Sequence, residues 1–312
     1  MPPHVEEGVN GFLMVRIENP DWTQHRLHKP GVAGSSPAAA IPVTVSYEPA
    51  KDYHRWPETS CSQLKTLRES SLEFYWRYEV GEAPPKSSAS LDYGTLLHTW
   101  AELGDEEFWQ RVSVAADTLV TATGAFSKKA DEWIASLDPR LIPISPADRD
   151  KLRAQTRELL RNPEVAEIIE RTVDREFNVR WPWNGHPVRA RCDGRTDEFL
   201  FDWKTTRDKS PQNTWWRSAI EFGYHLQSAM YAEAGVAMGM PLHRMRFIVT
   251  STVWPHECFV CVMPQKLIDI GKAHCERLLD ELQTRREWDC WHRLDSQEVC
   301  ELRVPDYAMK GA

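Results

Sequence analysis

The stretch from Val188 to Thr206, VRARCDGRTDEFLFDWKTT, constrains this chain more than any other. Its second half alternates strictly. Phe199, Phe201 and Trp203 fall on one face of an extended strand, and Leu200, Asp202 and Lys204 fall on the other. The run Gly194-Arg-Thr-Asp197 interrupts that pattern and predicts a turn near Thr196-Asp197. The expected product is a β-hairpin in which Arg191 and Asp193 are the approximate cross-strand neighbours of Asp202 and Leu200. Two carboxylates and a lysine then converge on one small patch.

That donor set has chemical meaning. Hard carboxylate oxygens hold Mg²⁺, and an ammonium group beside them meets a water or a phosphate. Phosphodiester hydrolysis uses those parts. The bland alternative is a solvated hairpin with an ordinary Asp202–Lys204 surface pair. The neighbouring segments weigh against it. Asp92 to Leu103 reads as a helix with His98 one turn beyond Gly94, and a neutral imidazole is a further candidate ligand. Asp174 to Trp181 reads as a strand in which Phe177, Val179 and Trp181 form the apolar face and Glu176 lies on the polar one. Asn213 to Met238 reads as one helix, in which Tyr224, Gln227 and Tyr231 follow i, i+3, i+7 spacing. Core packing would account for the tyrosines. It does not account for Gln227 between them, because a buried amide needs partners.

Taken in order, Gly94-Thr-Leu-Leu-His98, Glu176, Arg191-Cys-Asp193, Asp202-Trp-Lys204-Thr-Thr206 and Tyr224-His-Leu-Gln227-Ser-Ala-Met-Tyr231 resemble the PD-(D/E)XK nuclease superfamily. Within it they look like the phage and prophage exonuclease branch of exodeoxyribonuclease VIII, related to lambda exonuclease. Ser62-Gln-Leu-Lys65 and the helix after it, to about Tyr78, are similar to that branch's N-terminal helix. Two positions depart from the usual pattern: Cys192 stands where proline is common, and Asp202 where glutamate is common. Neither removes a ligand.

The resemblance implies an α/β fold, with a central mixed β-sheet flanked by helices. Residues 58–312 form that restriction-endonuclease-like domain, and 105–172 form a helical insertion beside it. It implies Mg²⁺, with Mn²⁺ as substitute, held by Asp193, Asp202, His98 and the backbone carbonyl of Trp203. Glu176 would orient a water or a ligand. Lys204 would position or deprotonate the attacking water, or stabilise the pentacovalent phosphate, and a base role requires burial to depress its pKa. Gln227 and Tyr231 would align Lys204, and Arg189, Arg191, Arg207, Lys209 and Tyr224 would touch DNA. The implied activity is exonucleolysis of linear double-stranded DNA, 5′ to 3′, leaving 3′ tails for recombination. A single-strand annealing recombinase would be the partner and a ring-shaped homo-oligomer the assembly. The rivals are an endonuclease or structure-specific nuclease on the same fold, and a non-catalytic DNA-binding protein.

A net charge of −8 does not oppose this, because net charge speaks to solubility while a local basic lining meets phosphate. Such a lining is available in Arg189, Arg191, Arg195, Lys204, Arg207, Lys209 and Arg217. The chain contains 7 scattered cysteines, an odd number, which points to a reducing compartment and, without a signal-like or membrane-spanning run, to the cytoplasm. Cys258 and Cys261 sit on a strand-like run whose alternation turns them to opposite faces, which argues against a metal cluster. Residues 1–57, with the linker-like Gly31 to Ala40, read as a flexible or peripheral arm. Trp109, Trp133, Trp181, Trp183, Trp215 and Trp216 are candidates for stacking on unpaired bases, with core packing the default for most. Trp215-Trp216, just after the metal strand, is the foremost pair.

Overall fold

The computed structural model describes residues 42–84, 89–240 and 245–291, with two short strands nearer the N-terminus. The chain divides into two compact units, Met1–Ala39 and Ala40–Ala312. In the first, Glu6–Glu7 pairs antiparallel with Leu13–Met14. Gly31 to Ala40 lies outside the described residues.

The second unit is built on a seven-stranded mixed sheet. Its strands are β1 (Thr44–Ser46), β2 (Thr59–Ser60), β3 (Asp174–Trp183), β4 (His186–Arg195), β5 (Leu200–Thr206), β6 (Arg246–Ser251) and β7 (Cys258–Val262). The order across the sheet is β7-β6-β5-β4-β3-β1, and β2 pairs with β4 off that path. The β5–β6 pairing is parallel, as a helical crossover requires, and β3–β4 is a long antiparallel hairpin. This is the expected α/β architecture.

Two apolar clusters form the core, and β5 distributes its residues between them by alternation. Leu200 joins the first cluster, with Phe177, Val179 and Trp181 of β3; Phe199, Phe201 and Trp203 join the second. Helices α1 (Cys61–Glu69), α6 (Tyr224–Ala237) and α7 (Gln265–Trp288) supply the first cluster. Helices α2 (Ala89–Leu103), α3 (Pro146–Arg161) and α4 (Pro163–Glu170) supply the second. Their starts follow local chemistry. Ser60 and Gln63 form a reciprocal capping box on α1, and Ser145 Oγ accepts the Asp148 N–H at 3.1 Å with Pro146 in the first turn of α3.

The structure departs from the sequence pattern at three places. The hairpin register sets Gly194 opposite Phe201 and Arg195 opposite Leu200, a frame that, continued, would align Asp193 with Asp202 and not with Leu200, but pairing stops at Gly194. The helix expected over 213–238 is two, α5 (Pro211–Glu221) and α6, separated at Phe222 and a left-handed Gly223 with φ +63°. Residues 42–57 of the supposed arm contribute to the sheet: β1 pairs with β3, and Tyr53 is buried.

The fork in the sheet is what makes room for a site. One edge of β4 is shared by β5, which pairs only at Gly194 and Arg195, and by β2, which pairs only at Val188 and Arg189. Ala190 to Asp193 therefore carry no strand on that edge. The opening is stabilised from α6, where the Tyr231 hydroxyl donates to the Arg191 carbonyl at 2.6 Å and satisfies a group the ladder leaves free.

Helix α6 also carries a buried titratable group away from the fork. His225 packs 5.9 Å from His274 of α7, ring centre to ring centre, and its Nδ1 has no hydrogen-bond partner among the described residues. Burial, reinforced by Arg68, His274 and Lys65, lowers its pKa to about 4. The fold thus disfavours the protonated form. Stability is intact above about pH 6.5, falls as the unfolded chain takes up a proton the fold refuses, and levels off below about pH 4, for a loss of up to about 3 kcal/mol. The slope of unfolding free energy against pH, measured by urea titration, should flatten across that window in His225→Gln. An unchanged slope would assign the acid sensitivity to other groups.

Candidate active site

A cleft of about 810 Å³ opens at the fork, between α1, α2, β4, β5 and α6. Its floor is acidic. Arg175 faces Gly194 and Phe177 faces Cys192, so Glu176 stands directly across from Asp193. Glu176 takes a left-handed conformation with φ +48°, which costs a residue with a Cβ on the order of 1–3 kcal/mol and must be held by its surroundings. The Arg191 guanidinium is one such hold, with Nε donating to Glu176 Oε2 at 2.9 Å and Nη1 donating to Asn178 Oδ1 and the Glu48 carbonyl. From α2, His98 Nδ1 reaches Glu176 Oε1 at 3.6 Å and Asp193 Oδ2 at 3.3 Å. Ligand atoms of His98, Glu176 and Asp193 all lie within 4.8 Å of one another.

The second half of the cleft is the Asp202–Lys204 pair. Asp202 is buried, and one of its oxygens contacts the Lys204 ammonium directly. The other accepts from Gln227 Nε2 at 2.5 Å and stands 3.2 Å from the Tyr231 hydroxyl. Gln227 has the partner a buried amide needs, which is why it is not a packing residue. The two halves meet through β5, where the Trp203 N–H donates to Asp193 Oδ2 at 2.8 Å in place of a ladder bond.

The charges are strongly coupled. Burial raises the Asp193 pKa to about 7, and Asp202 and Glu176 add to that against the pull of His98 and Lys204. Asp193 raises His98 to about 9, with Glu176 assisting and burial opposing. Burial would depress Lys204, but Asp202 outweighs it and holds Lys204 above the ordinary lysine value. In this arrangement Lys204 is held as an ammonium beside Asp202.

The remaining site residues separate into used and unused. His98, Glu176, Asp193, Asp202, Lys204, Gln227, Tyr231 and Tyr224 all line the cleft. Asp202 lies outside the three-residue ligand cluster, and Glu176, expected to act only by orienting a water or a ligand, lies within it. Trp203 contributes its N–H to Asp193. Arg189, expected to touch DNA, is not among the residues that line the cleft. It is 3% exposed, its Nη1 donates to the Tyr53 and Trp56 carbonyls, and it stacks over the Tyr53 ring, tying the 53–56 segment to β4. Arg191 lines the cleft but is committed to Glu176. Arg207 and Lys209 are exposed beyond the end of β5. Of the tryptophans, Trp181, Trp183 and Trp215 are buried, and Trp216 is 61% exposed.

Among the cleft residues given no role from sequence, Lys65 stands beside Lys204. Lys65 of α1 lies 5.0 Å from the centre of the Tyr224 ring, and Lys204 lies 4.9 Å from it. The only trace of Lys65 in the sequence is its place in Ser62-Gln-Leu-Lys65; the proximity to Lys204 arises from packing of α1 across the fork.

Residues 58–306 match the PD-(D/E)XK nuclease superfamily, and the chain belongs to that family. Comparison with curated protein sequences finds no match. A crystal structure of a Eubacterium rectale protein, provisionally named an exonuclease, is similar with a TM-score of 0.55 and 9% identity, over 85% of this chain and 98% of that one. At that identity the likeness is one of fold.

PD-(D/E)XK nucleases use divalent metals, and the donor set here fits one. Two carboxylates supply hard oxygen ligands, and an imidazole adds a nitrogen that first-row transition ions accept readily. An ion at His98, Glu176 and Asp193 would have to displace the proton on His98, whose pKa Asp193 raises to about 9, so its affinity depends on pH. Among the described residues no helix is long and apolar enough to cross a membrane.

Proposed function

We propose that this chain is a divalent-metal-dependent DNA exonuclease. It hydrolyses linear double-stranded DNA 5′ to 3′ and leaves 3′ single-stranded tails for recombination, in the manner of the exodeoxyribonuclease VIII branch. The observation that carries the reading is the convergence of His98, Glu176 and Asp193 with the Asp202–Lys204 pair in a single cleft. The name of the Eubacterium rectale protein supports an exonuclease over other nucleases of this fold.

In this reading His98, Glu176 and Asp193 hold Mg²⁺, with Mn²⁺ as substitute, and Asp202 stands beside them. The ion supplies Lewis acidity at the scissile phosphate. Lys204 acts as an ammonium: fixed by Asp202 and aimed into the cleft, it stabilises the negative charge that builds on the phosphate in the transition state. Gln227 and Tyr231 hold Asp202, and through it Lys204, in place. Arg207 and Lys209 meet the DNA backbone outside the cleft. Cytoplasmic location, a ring-shaped homo-oligomer and a single-strand annealing recombinase as partner belong to the same proposal.

Matched linear and closed circular duplexes, incubated with Mg²⁺ beside an Asp202→Ala control, test it. The linear form alone should be degraded, and only by the native protein, with 5′-end label released first. Cleavage of the circle would make the chain an endonuclease. Binding without hydrolysis of either form would make it a non-catalytic DNA-binding protein.

A further inference from the structure

Among the described residues, Phe222 is the one large apolar side chain that is both exposed and on the wall of the cleft. It is 54% exposed, whereas Trp216, Trp254 and Trp288, which are more exposed still, lie off that wall. A single exposed aromatic is unremarkable on a surface at large. Beside a charged cleft it needs a partner of its own.

The backbone of Phe222 is fixed at a helix end. It closes α5, its N–H donating to the Ser218 carbonyl at 2.9 Å, and the left-handed Gly223 behind it starts α6. Its ring lies 6.1 Å from that of Tyr224. Tyr224 in turn stacks on Trp215 at 5.5 Å and 22°, and Trp215 packs on Phe247 in the core. Lys204 and Lys65 both lie over the Tyr224 ring, next in the series to Phe222, and Phe222 at the outer end faces solvent. Cations that track phosphates beside an aromatic that offers a π-face are the two components of a single-strand binding surface.

We propose that Phe222, supported by Tyr224, is the base-stacking residue of this cleft. It receives an unpaired base from the strand whose phosphodiester is aligned at Lys204, so the hydrolysed strand enters separated from its complement. The inference rests on the nuclease reading of the cleft and adds to it the form of the substrate at the point of entry.

An oligonucleotide carrying 2-aminopurine near its end, titrated into the Asp193→Asn protein so that it is bound and not consumed, reports stacking directly. Binding should quench the fluorophore. Adding Phe222→Leu should abolish most of the quench and weaken binding about tenfold, within the range for loss of one base–aromatic stack. Phe222→Trp should restore both, and melting temperatures should barely move because the ring is exposed. An undiminished quench in Phe222→Leu overturns the proposal. So does a loss of self-association in that variant with DNA binding intact, since Phe222 would then cover a second copy of the chain. Hydrolysis of linear DNA by the native protein, run in parallel, tests the underlying reading separately. If it holds while Phe222→Leu is silent, only the stacking fails.

Discussion

Asp193→Asn should abolish metal-dependent hydrolysis and, in the same protein, raise the melting temperature of the metal-free form at pH 8 by a few degrees. The loss of rate should be at least about 10²- to 10³-fold, the scale for removing one charged group from a preorganised site. The gain in stability follows from the electrostatics. The folded-state pKa of Asp193 is about 7, raised by burial and by Asp202 and Glu176. Its ordinary value is about 3.8, so the ionised form is disfavoured by folding. That penalty is absent at low pH, grows as pH rises, and is complete above about pH 7. Asparagine removes it while keeping an acceptor for the Trp203 N–H. Rate assays and thermal melts on the same preparations decide the matter. Activity retained in the variant would remove Asp193 from the site. A lower melting temperature would show that its carboxylate serves the fold and not the ion.

The second large effect lies far from the cleft. Helices α6 and α7 approach so closely that a Cβ built on Gly271 would lie 2.6 Å from the His225 carbonyl carbon and closer still to its oxygen. Both obstacles are backbone, so neither can swing aside, and Gly271→Ala must force the helices apart. Overpacking of this kind costs about 3 kcal/mol or more, or roughly five degrees of melting temperature in a chain of this size. Gly235→Ala is the matched control. Its Cβ would meet only Leu200 Cδ1 at 3.8 Å, an ordinary contact, and in the interior of α6 alanine is favoured over glycine by up to about 1 kcal/mol. Equal effects of the two substitutions would refute the close approach.

Much of the fold is legible in local pattern, because alternation and capping are short-range. Leu200 and Phe201 segregate to opposite clusters as the period of two predicts, and Ser145 starts α3 where its side chain can cap. The residues of the cleft are legible for a related reason. Gln227 is polar where an apolar residue would pack, and Asp202 and Lys204 repeat on the polar face of a strand. Arg189 was not legible: an arginine beside Arg191 in the sequence looks like another phosphate contact, and only the 53–56 segment folding over it shows that its guanidinium serves two carbonyls. The break at Phe222 was hidden too, because a lone glycine within a helical pattern is often tolerated.

By itself, the sequence determined the chemistry of the donors and the elements that carry them: an imidazole on α2, Glu176 on β3, Asp193 on β4, and Asp202 and Lys204 on one face of β5. Tertiary structure decided how those donors divide. A long antiparallel hairpin would pair β4 with β5 throughout and leave Asp193 and Asp202 as ordinary cross-strand neighbours. Instead β2 takes part of the same edge of β4, and the sheet forks between Arg189 and Gly194. Asp193 then turns to His98 and Glu176, while Asp202 turns to Lys204, Gln227 and Tyr231. Strand pairing across more than a hundred residues of chain is a non-local choice. It depends on which backbone groups find partners once every helix has packed, and no window of sequence contains it.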